Sequence, residues 1–281
     1  MSGMLPMTAS GTRPNGTGPG TTAALPMTIA RRAALAIGVP ACLALTGWTG
    51  LAIVALIGQG SFPIRYAIPA SAGRLAVNFD AGDIRLQQVA GGSAELTGTA
   101  RYSLSRPAFT ARATAHGMAL GYNCTNVVGG CSLDATVSVP AGTAASVSTG
   151  GGNTTVVGIT SDVTVSSGGG DVTADGVAGD LNLHTDGGNI RGTAITAAHV
   201  TASTGGGDIE VVFTRVPRYV RVSTDGGNVT IVVPAGGTQY HVTASTDGGN
   251  VDDSAIPVNT SSPDQITATS GGGDITIREA S

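Results

Sequence analysis

Lysine is missing from the 281 residues, so all fourteen basic side chains are arginines. A Walker-type phosphate loop needs its lysine to reach the phosphates, and that class is excluded. The patterns G-x-G-x-x-G, G-x-S-x-G and H-E-x-x-H are absent as well. With them go the dinucleotide-binding turn, the nucleophile elbow and the zinc-protease helix. Aromatic residues supply only 4% of the chain and charged residues 11%. A core of large side chains is therefore ruled out. Glycine (44 residues), Ala, Thr, Ser and Val dominate, which suits short strands and tight turns with small residues stacked inside.

Charge is divided along the chain. The first 58 residues hold Arg13, Arg31 and Arg32 and no acid, whereas the remainder carries eleven arginines against eighteen acids. An acidic surface discourages nucleic acid, which wants clustered cations, so no nucleic-acid partner is expected.

One long hydrophobic run is present. Residues Ala33 to Gly58 carry no charge over 26 positions, a helical length of ~39 Å against a hydrocarbon core of about 30 Å. Arg31 and Arg32 on its N-terminal side predict a cytoplasmic N-terminus and an extracytoplasmic C-terminal domain at the cell membrane. Residues 1–29, rich in Ser, Thr, Gly and Pro, read as a disordered tail, 30–58 as one transmembrane helix whose residues 33–58 contact lipid, and 59–72 as a linker. A cleaved signal peptide fits less well, since Ala70-Ser71-Ala72 lies too far downstream. Apolar sequence continuing past Cys42 is wrong for a lipoprotein box, and Arg31-Arg32-Ala-Ala-Leu is a poor twin-arginine match. Cys42 is then a small apolar helix residue. Cys124 and Cys131, on the outer side, bracket turn sequence between two alternating runs and are expected to form a disulfide clasp on a hairpin. A metal site there lacks further ligands nearby.

The segment STGGGDIEV at Ser203 returns as SSGGGDVTA, HTDGGNIRG, STDGGNVTI, STDGGNVDD, TSGGGDITI and STGGGNTTV, with NFDAGDIRL as a degenerate copy. Numbered by the last turn residue, the copies fall at Asp83, Asn153, Asp171, Asn189, Asp208, Asn228, Asn250 and Asp274. From Asn153 onward the intervals are 18, 18, 19, 20, 22 and 24 residues. Each copy follows an alternating run that starts nine positions earlier, as at Arg74, His199, Tyr219 and His241. A constant strand–turn–strand block joined by connections of variable length predicts an all-β β-solenoid (β-helix) of 18–24-residue coils. Glycine is expected at the corner for positive φ and for close approach between coils. VPAG elements at Val139–Gly142 and Val233–Gly236 lengthen the other connection.

Coils stacked about 4.8 Å apart would line up equivalent side chains, so a column of carboxylates would repel itself. The sequence mixes Asp with Asn and never places two carboxylates in one turn from Asn153 on. A hydrogen-bonded structural ladder is expected, with no catalytic, metal or cofactor role. A calcium roll is the sharper rival, but calcium wants six to eight oxygens and each coil offers one carboxylate. His199 and His241 are expected two coils apart with Tyr219 between them, too far to share a metal. The stacked Thr149, Thr204, Thr224 and Thr246 fit strand packing, and a flat threonine face would also suit a polymer or a regular lattice. Residues 73–147 are expected to form a hairpin cap with the first coil, and 148–281 the repeats. Arg278 and Glu279 would blunt the final coil.

The GGGD and DGGN phrases behind a single anchor, the cysteine pair and the VPAG elements resemble the bacterial "putative adhesin" family over residues 73–281. The resemblance implies a β-solenoid at the cell surface, of unknown function, with no catalytic residues to carry over. The expected role is a non-catalytic structural or interaction module, adhesin-like, with cell-wall polysaccharide or a surface protein as partner. The alternative is a polysaccharide-binding or -degrading β-helix, for which Asp252 and Asp253 are the only adjacent acids. A sensor signalling through residues 1–29 has no recognisable domain to work with.

Overall fold

A computed structural model describes residues 59–69, 73–91, 93–104, 106–124 and 130–281. The tail expected at 1–29 and the apolar helix at 30–58 lie outside the described residues. The described chain is all β. Its first strands are β1 (Gln59–Ile68), β2 (Arg74–Phe79), β3 (Ile84–Val89), β4 (Ala94–Ser103), β5 (Ala108–Thr114), β6 (Gly117–Asn123) and β7 (Cys131–Pro140). The repeats supply β8 (Ala144–Thr149), β9 (Thr154–Val157), β10 (Val163–Ser167), β11 (Val172–Asp175), β12 (Leu181–Thr185), β13 (Ile190–Ile195), β14 (His199–Thr204) and β15 (Ile209–Phe213). Then come β16 (Tyr219–Thr224), β17 (Val229–Val233), β18 (His241–Thr246), β19 (Val251–Ala255), β20 (Gln265–Ser270) and β21 (Ile275–Glu279).

Each coil sends one strand into each of two sheets, of eleven and ten strands. Strands of successive coils pair in parallel and in register, for example Val163 with Leu181 and Leu181 with Val200. Alternation does the rest, because every second residue turns inward. One such column runs Ala145, Val163, Leu181, Val200, Val220 and Ile266, all at most 4% exposed. Val, Leu, Ile and Ala fill most of these inward positions. That is how a chain so poor in aromatics builds a continuous core.

Order along the stack departs from order along the chain at both ends. The sequence of coils in space is β6–β7, β2–β3, β8–β9, then regular progression to β16–β17, then β20–β21 and finally β18–β19. The first coil therefore has no glycine phrase, and the cysteine pair stands at its corner. Cys124 and Cys131 do form the disulfide, with Cα atoms 5.8 Å apart. They do not close a hairpin, since β6 and β7 enter different sheets. Alternation on both sides of a turn looks alike in a hairpin and at a coil corner.

Three further expectations need correction. Residues 59–68 are not linker: they form β1, which pairs antiparallel with β4 over ten residues, and Ile64 and Ile68 on its inner side are buried. Residues 73–147 hold two coils rather than one, capped by the antiparallel strands β1, β4 and β5. Arg278 and Glu279 do not blunt the last coil, because β21 lies between β17 and β19.

Candidate functional site

The corner shared by all coils is the most regular polar feature of the molecule. In spatial order its column reads Asp134, Asp83, Asn153, Asp171, Asn189, Asp208, Asn228, Asp274, Asn250. From Asp83 on, Asp and Asn strictly alternate. Sequence order hides this, because Asn250 precedes Asp274 in the chain but follows it in the stack. Each backbone N–H donates to the Oδ1 of the residue in the neighbouring coil. The distances are 2.8 Å for Asn153 to Asp83, 3.0 Å for Asp171 to Asn153, and 2.8 Å for Asn189 to Asp171. They continue at 2.8 Å for Asp208 to Asn189, 2.7 Å for Asn228 to Asp208, 2.9 Å for Asp274 to Asn228 and 2.8 Å for Asn250 to Asp274. The asparagine amides add longer contacts, 3.3 Å from Asn189 Nδ2 to Asp171 and from Asn228 Nδ2 to Asp208. Thus the expected ladder forms, and main-chain donors carry it more than the side-chain amides do. Asp134 was not in the expected set. Its signal is the pattern Asp134-Ala135-Thr136-Val137, which matches Asp83-Ile84-Arg85-Leu86.

Beneath the ladder lies a second column of hydroxyls: Thr149, Ser167, Thr185, Thr204, Thr224, Ser270 and Thr246. Each interior hydroxyl accepts from glycine N–H groups of its own corner, as Thr224 does from Gly227 at 3.0 Å. Thr185, Thr204, Thr224 and Ser270 also donate across to the adjacent coil, Thr204 to the Gly188 carbonyl at 2.7 Å, whereas Thr149 donates within its own corner to Gly151 at 2.9 Å. Thr149, Thr204 and Thr224 are buried at 3–4% exposure, and Thr246 in the terminal coil is half-buried. They form no flat outer face; the strand parity places them inside the corner. The last glycine of each phrase is needed for closeness rather than conformation. A Cβ on Gly170, Gly188, Gly207, Gly227 or Gly273 would lie under 3.0 Å from a carbonyl oxygen of the adjacent coil, whereas positive φ at this corner is confined to Gly82 and Gly152.

The outward face of the ten-stranded sheet is different chemistry. Ser148, Ser166, His184, Ser203, Ser223, Thr269 and Ser245 occupy one in-register column. Ser146, Thr164, Asn182, Thr201, Arg221, Thr267 and Thr243 occupy the next. His184 accepts or donates through Nδ1 to Ser203 Oγ at 2.9 Å and through Nε2 to Asp186 Oδ1 at 3.0 Å. This is a hydroxyl–imidazole–carboxylate chain on the solvent-facing side of the sheet, with the His184 and Asp186 side chains 46% and 72% exposed. A nucleophile needs preorganised donors for the developing oxyanion as much as it needs a base. His199 pairs instead with Asp180 at 2.9 Å. His241 stands three coils from His199, because Gln265 as well as Tyr219 intervenes.

Asp252 and Asp253 sit on β19 in the terminal coil, Asp252 exposed and Asp253 half-buried. Hydrogen bonds from the Ser254 hydroxyl and N–H hold the Asp252 carboxyl below the usual carboxylate range. Among the described residues no group of three or more His, Cys, Asp or Glu is placed to hold a metal ion. On the eleven-stranded sheet a recess of about 370 Å3 runs beside the ladder, lined by Asp171, Asn189, Asp208, Thr173, Arg191 and Glu210. Arg191 and Glu210 pair across it.

The sequence of this domain matches a known family. The sequence profile of the family described as Toastrack DUF4097 matches residues 67–279. Among solved structures, a "putative adhesin" from Bacteroides fragilis is 15% identical, with 78% of this chain and 97% of that chain covered and a TM-score of 0.45. One from Parabacteroides merdae is 12% identical, covering 79% and 96%, with a TM-score of 0.44. A "putative cell adhesion protein" from Clostridium sporogenes is 12% identical, covering 79% and 100%, with a TM-score of 0.34. No curated protein matches.

Proposed function

Because the chain belongs to the Toastrack DUF4097 family, we propose that it acts as a membrane-tethered, extracytoplasmic interaction module of adhesin type, without catalysis. The tether is the uncharged run 33–58. The ligand is a polymer of the cell envelope, wall polysaccharide above all, laid across the outward columns of the ten-stranded sheet. One observation carries this: the register places hydroxyl-bearing side chains in two files with a repeat of about 4.8 Å along the stack, led by Ser148, Ser166, Ser203 and Ser223. Such a face offers many weak, equivalent hydrogen bonds to a repetitive partner. Multivalency turns these into useful affinity.

The full chain reconstituted in nanodiscs is to be incubated with purified wall polysaccharide and the retained fraction measured. Retention is expected. Replacing Ser166, Ser203 and Ser223 together by alanine is expected to weaken it by roughly tenfold or more, at about 1 kcal/mol per lost hydrogen bond. Absence of binding to any envelope polymer would remove the reading. A hydrolytic alternative has the Ser203–His184–Asp186 chain in its favour. Covalent labelling of Ser203 by a fluorophosphonate, abolished by His184→Ala, would establish it instead.

A further inference from the structure

The end of the stack where the described chain begins has a surface unlike the rest. The apolar run read as the tether ends at Gly58 and β1 starts at Gln59, so no spacer separates them in sequence. β1 is the outermost strand of one sheet and β5 the outermost of the other. Both turn unpaired backbone groups outward. Tyr66 and Phe109 close the gap between the two strands, their ring centroids 5.7 Å apart. Phe62 packs edge-on to Tyr102 at 5.9 Å and carries the Arg106 guanidinium 5.7 Å above its ring. Arg106 also donates to the Tyr102 hydroxyl at 3.2 Å. Arg65 stays 78% exposed although it pairs with Glu95. Arg106 and Arg112 are exposed and form no ion pair among the described residues.

The charge of the stack is graded in the same direction. Residues 59–147 carry six arginines against four acids, and residues 148–281 carry five against fourteen. One end of the solenoid is thus basic and aromatic, and the body beyond it is strongly acidic.

The geometry points to a membrane face at this end: the β1/β5 layer docks on anionic phospholipid headgroups of the bilayer in which the chain is tethered. This rests on the tether proposed above and adds what the tether alone does not fix, the posture of the domain. Guanidinium forks of Arg65, Arg106 and Arg112 suit phosphate oxygens, and half-buried Tyr and Phe rings suit the interfacial zone. Each arginine held at an anionic surface shifts the docked-to-free ratio by about fivefold. Three such contacts would be weak between free partners, but a tether without a spacer keeps the face at high local concentration. The acidic body is repelled by the same surface. The solenoid therefore stands upright, and β19 lies roughly 48 Å above β1, ten strand spacings of about 4.8 Å.

The test uses the full chain in nanodiscs of phosphatidylcholine alone and of phosphatidylcholine with one third phosphatidylglycerol. Hydrogen exchange is followed at β1 and β5 and, as an internal control, at β18 and β19. Slower exchange of β1 and β5 is expected in the anionic discs only, by about tenfold or more, and is expected to be lost at high salt. The combined Arg65→Gln, Arg106→Gln and Arg112→Gln variant should behave in anionic discs as the native chain does in neutral ones. Equal exchange of β1 and β5 in both discs overturns the inference while leaving the tether intact. A chain that fails to enter either disc refutes the tether and this posture with it. Protection of the two strands by a soluble anionic wall polymer but not by anionic discs assigns the face to that polymer and refutes the lipid partner. The lipid comparison on the native chain decides the matter even if the triple variant does not fold.

Discussion

Replacing Gly207 by alanine should be far more damaging than replacing Gly206, its neighbour in the same turn. A Cβ on Gly207 would lie under 3.0 Å from the Gly188 carbonyl, which belongs to the adjacent coil's backbone and has no flexible end to move. A Cβ on Gly206 meets nothing within 4 Å. Neither residue has positive φ, so conformational strain does not enter, and the comparison isolates contact between coils. Relieving the clash means parting the coils at the corner, which costs about 1–3 kcal/mol as overpacking. It also lengthens the Asp208 N–H to Asn189 Oδ1 bond of 2.8 Å and the Thr204 Oγ1 to Gly188 bond of 2.7 Å, at about 1 kcal/mol each. Alanine restricts the unfolded chain and returns roughly 0.4–1 kcal/mol. The net loss is about 2–4 kcal/mol, a fall in Tm of roughly 5–15 °C for a domain of about 200 residues. Gly206→Ala should be neutral or stabilising by up to about 1 kcal/mol. Thermal unfolding followed by circular dichroism on residues 59–281 measures both. Hydrogen exchange at Asp208 and Asn228 locates the damage. Equal stability of the two variants would refute the close-approach account of the glycine corner.

Asn228→Asp places three carboxylates in successive coils, Asp208, position 228 and Asp274, about 4.8 Å apart. The expected loss is roughly 1–2 kcal/mol at neutral pH and low salt, shrinking at high salt and on acidification below the usual carboxylate range, as urea unfolding would show. Cys124→Ser or Cys131→Ser opens a loop with a sequence separation of 7 and should cost about 2.5 kcal/mol on the chain-entropy estimate. Unfolding with and without reductant tests it, and an unchanged midpoint would contradict the estimate. Burial pushes the phenols of Tyr122 and Tyr240 up to about 12, from an ordinary value of 10.0. Because the unfolded phenols ionise first, the folded state should lose stability as pH rises from about 10 to 12. The tyrosinate absorbance contributed by these two phenols, taken as the difference from the Tyr122→Phe and Tyr240→Phe variants, should appear together with unfolding, not before it.

The repeated turns were legible because their glycines recur at nearly fixed intervals, and the parallel stack followed from that periodicity. Three things were not legible, each for a physical reason. The coil formed by β6 and β7 lacks the glycine phrase, since a disulfide does at its corner what close backbone contact does elsewhere. The strand β1 follows an apolar run, and its alternation of Phe62, Ile64, Tyr66 and Ile68 with Pro63, Arg65 and Ala67 was masked by that neighbour. The side of the sheet on which the threonine column lies is not legible either, because strand propensity says nothing about parity: one residue's shift moves Thr204 from the face to the corner and Ser203 the other way. Chain order was also a poor guide to neighbours. Asn228 touches Asp274 across 46 residues, not Asn250 across 22.

That last inversion has a cause in burial. The coil following β17 in the chain is β18–β19, yet β20–β21 takes the place beside it. A coil in the interior of the stack must bury every inward position, and β21 does so with Ile275 and Ile277, both 0% exposed. The sequence of β19, VDDSA, offers only Val251 before its acids. Next to Ile277 it would set Asp253 or Ser254, and an unpaired carboxylate enclosed there would cost several kcal/mol. At the outer end the same residues are harmless. The register slips between Asp252 and Ala255, Asp252 is exposed and Asp253 only half-buried, and Val251 is left 41% exposed. A bulged, acidic strand also resists pairing with a further chain. The repeat least able to be buried thus closes the stack, and the repeat best able to be buried is threaded beneath it. Since the inward columns and the glycine corner are wholly engaged in stacking, recognition is left to the outward columns and to the two ends, which carry opposite charge.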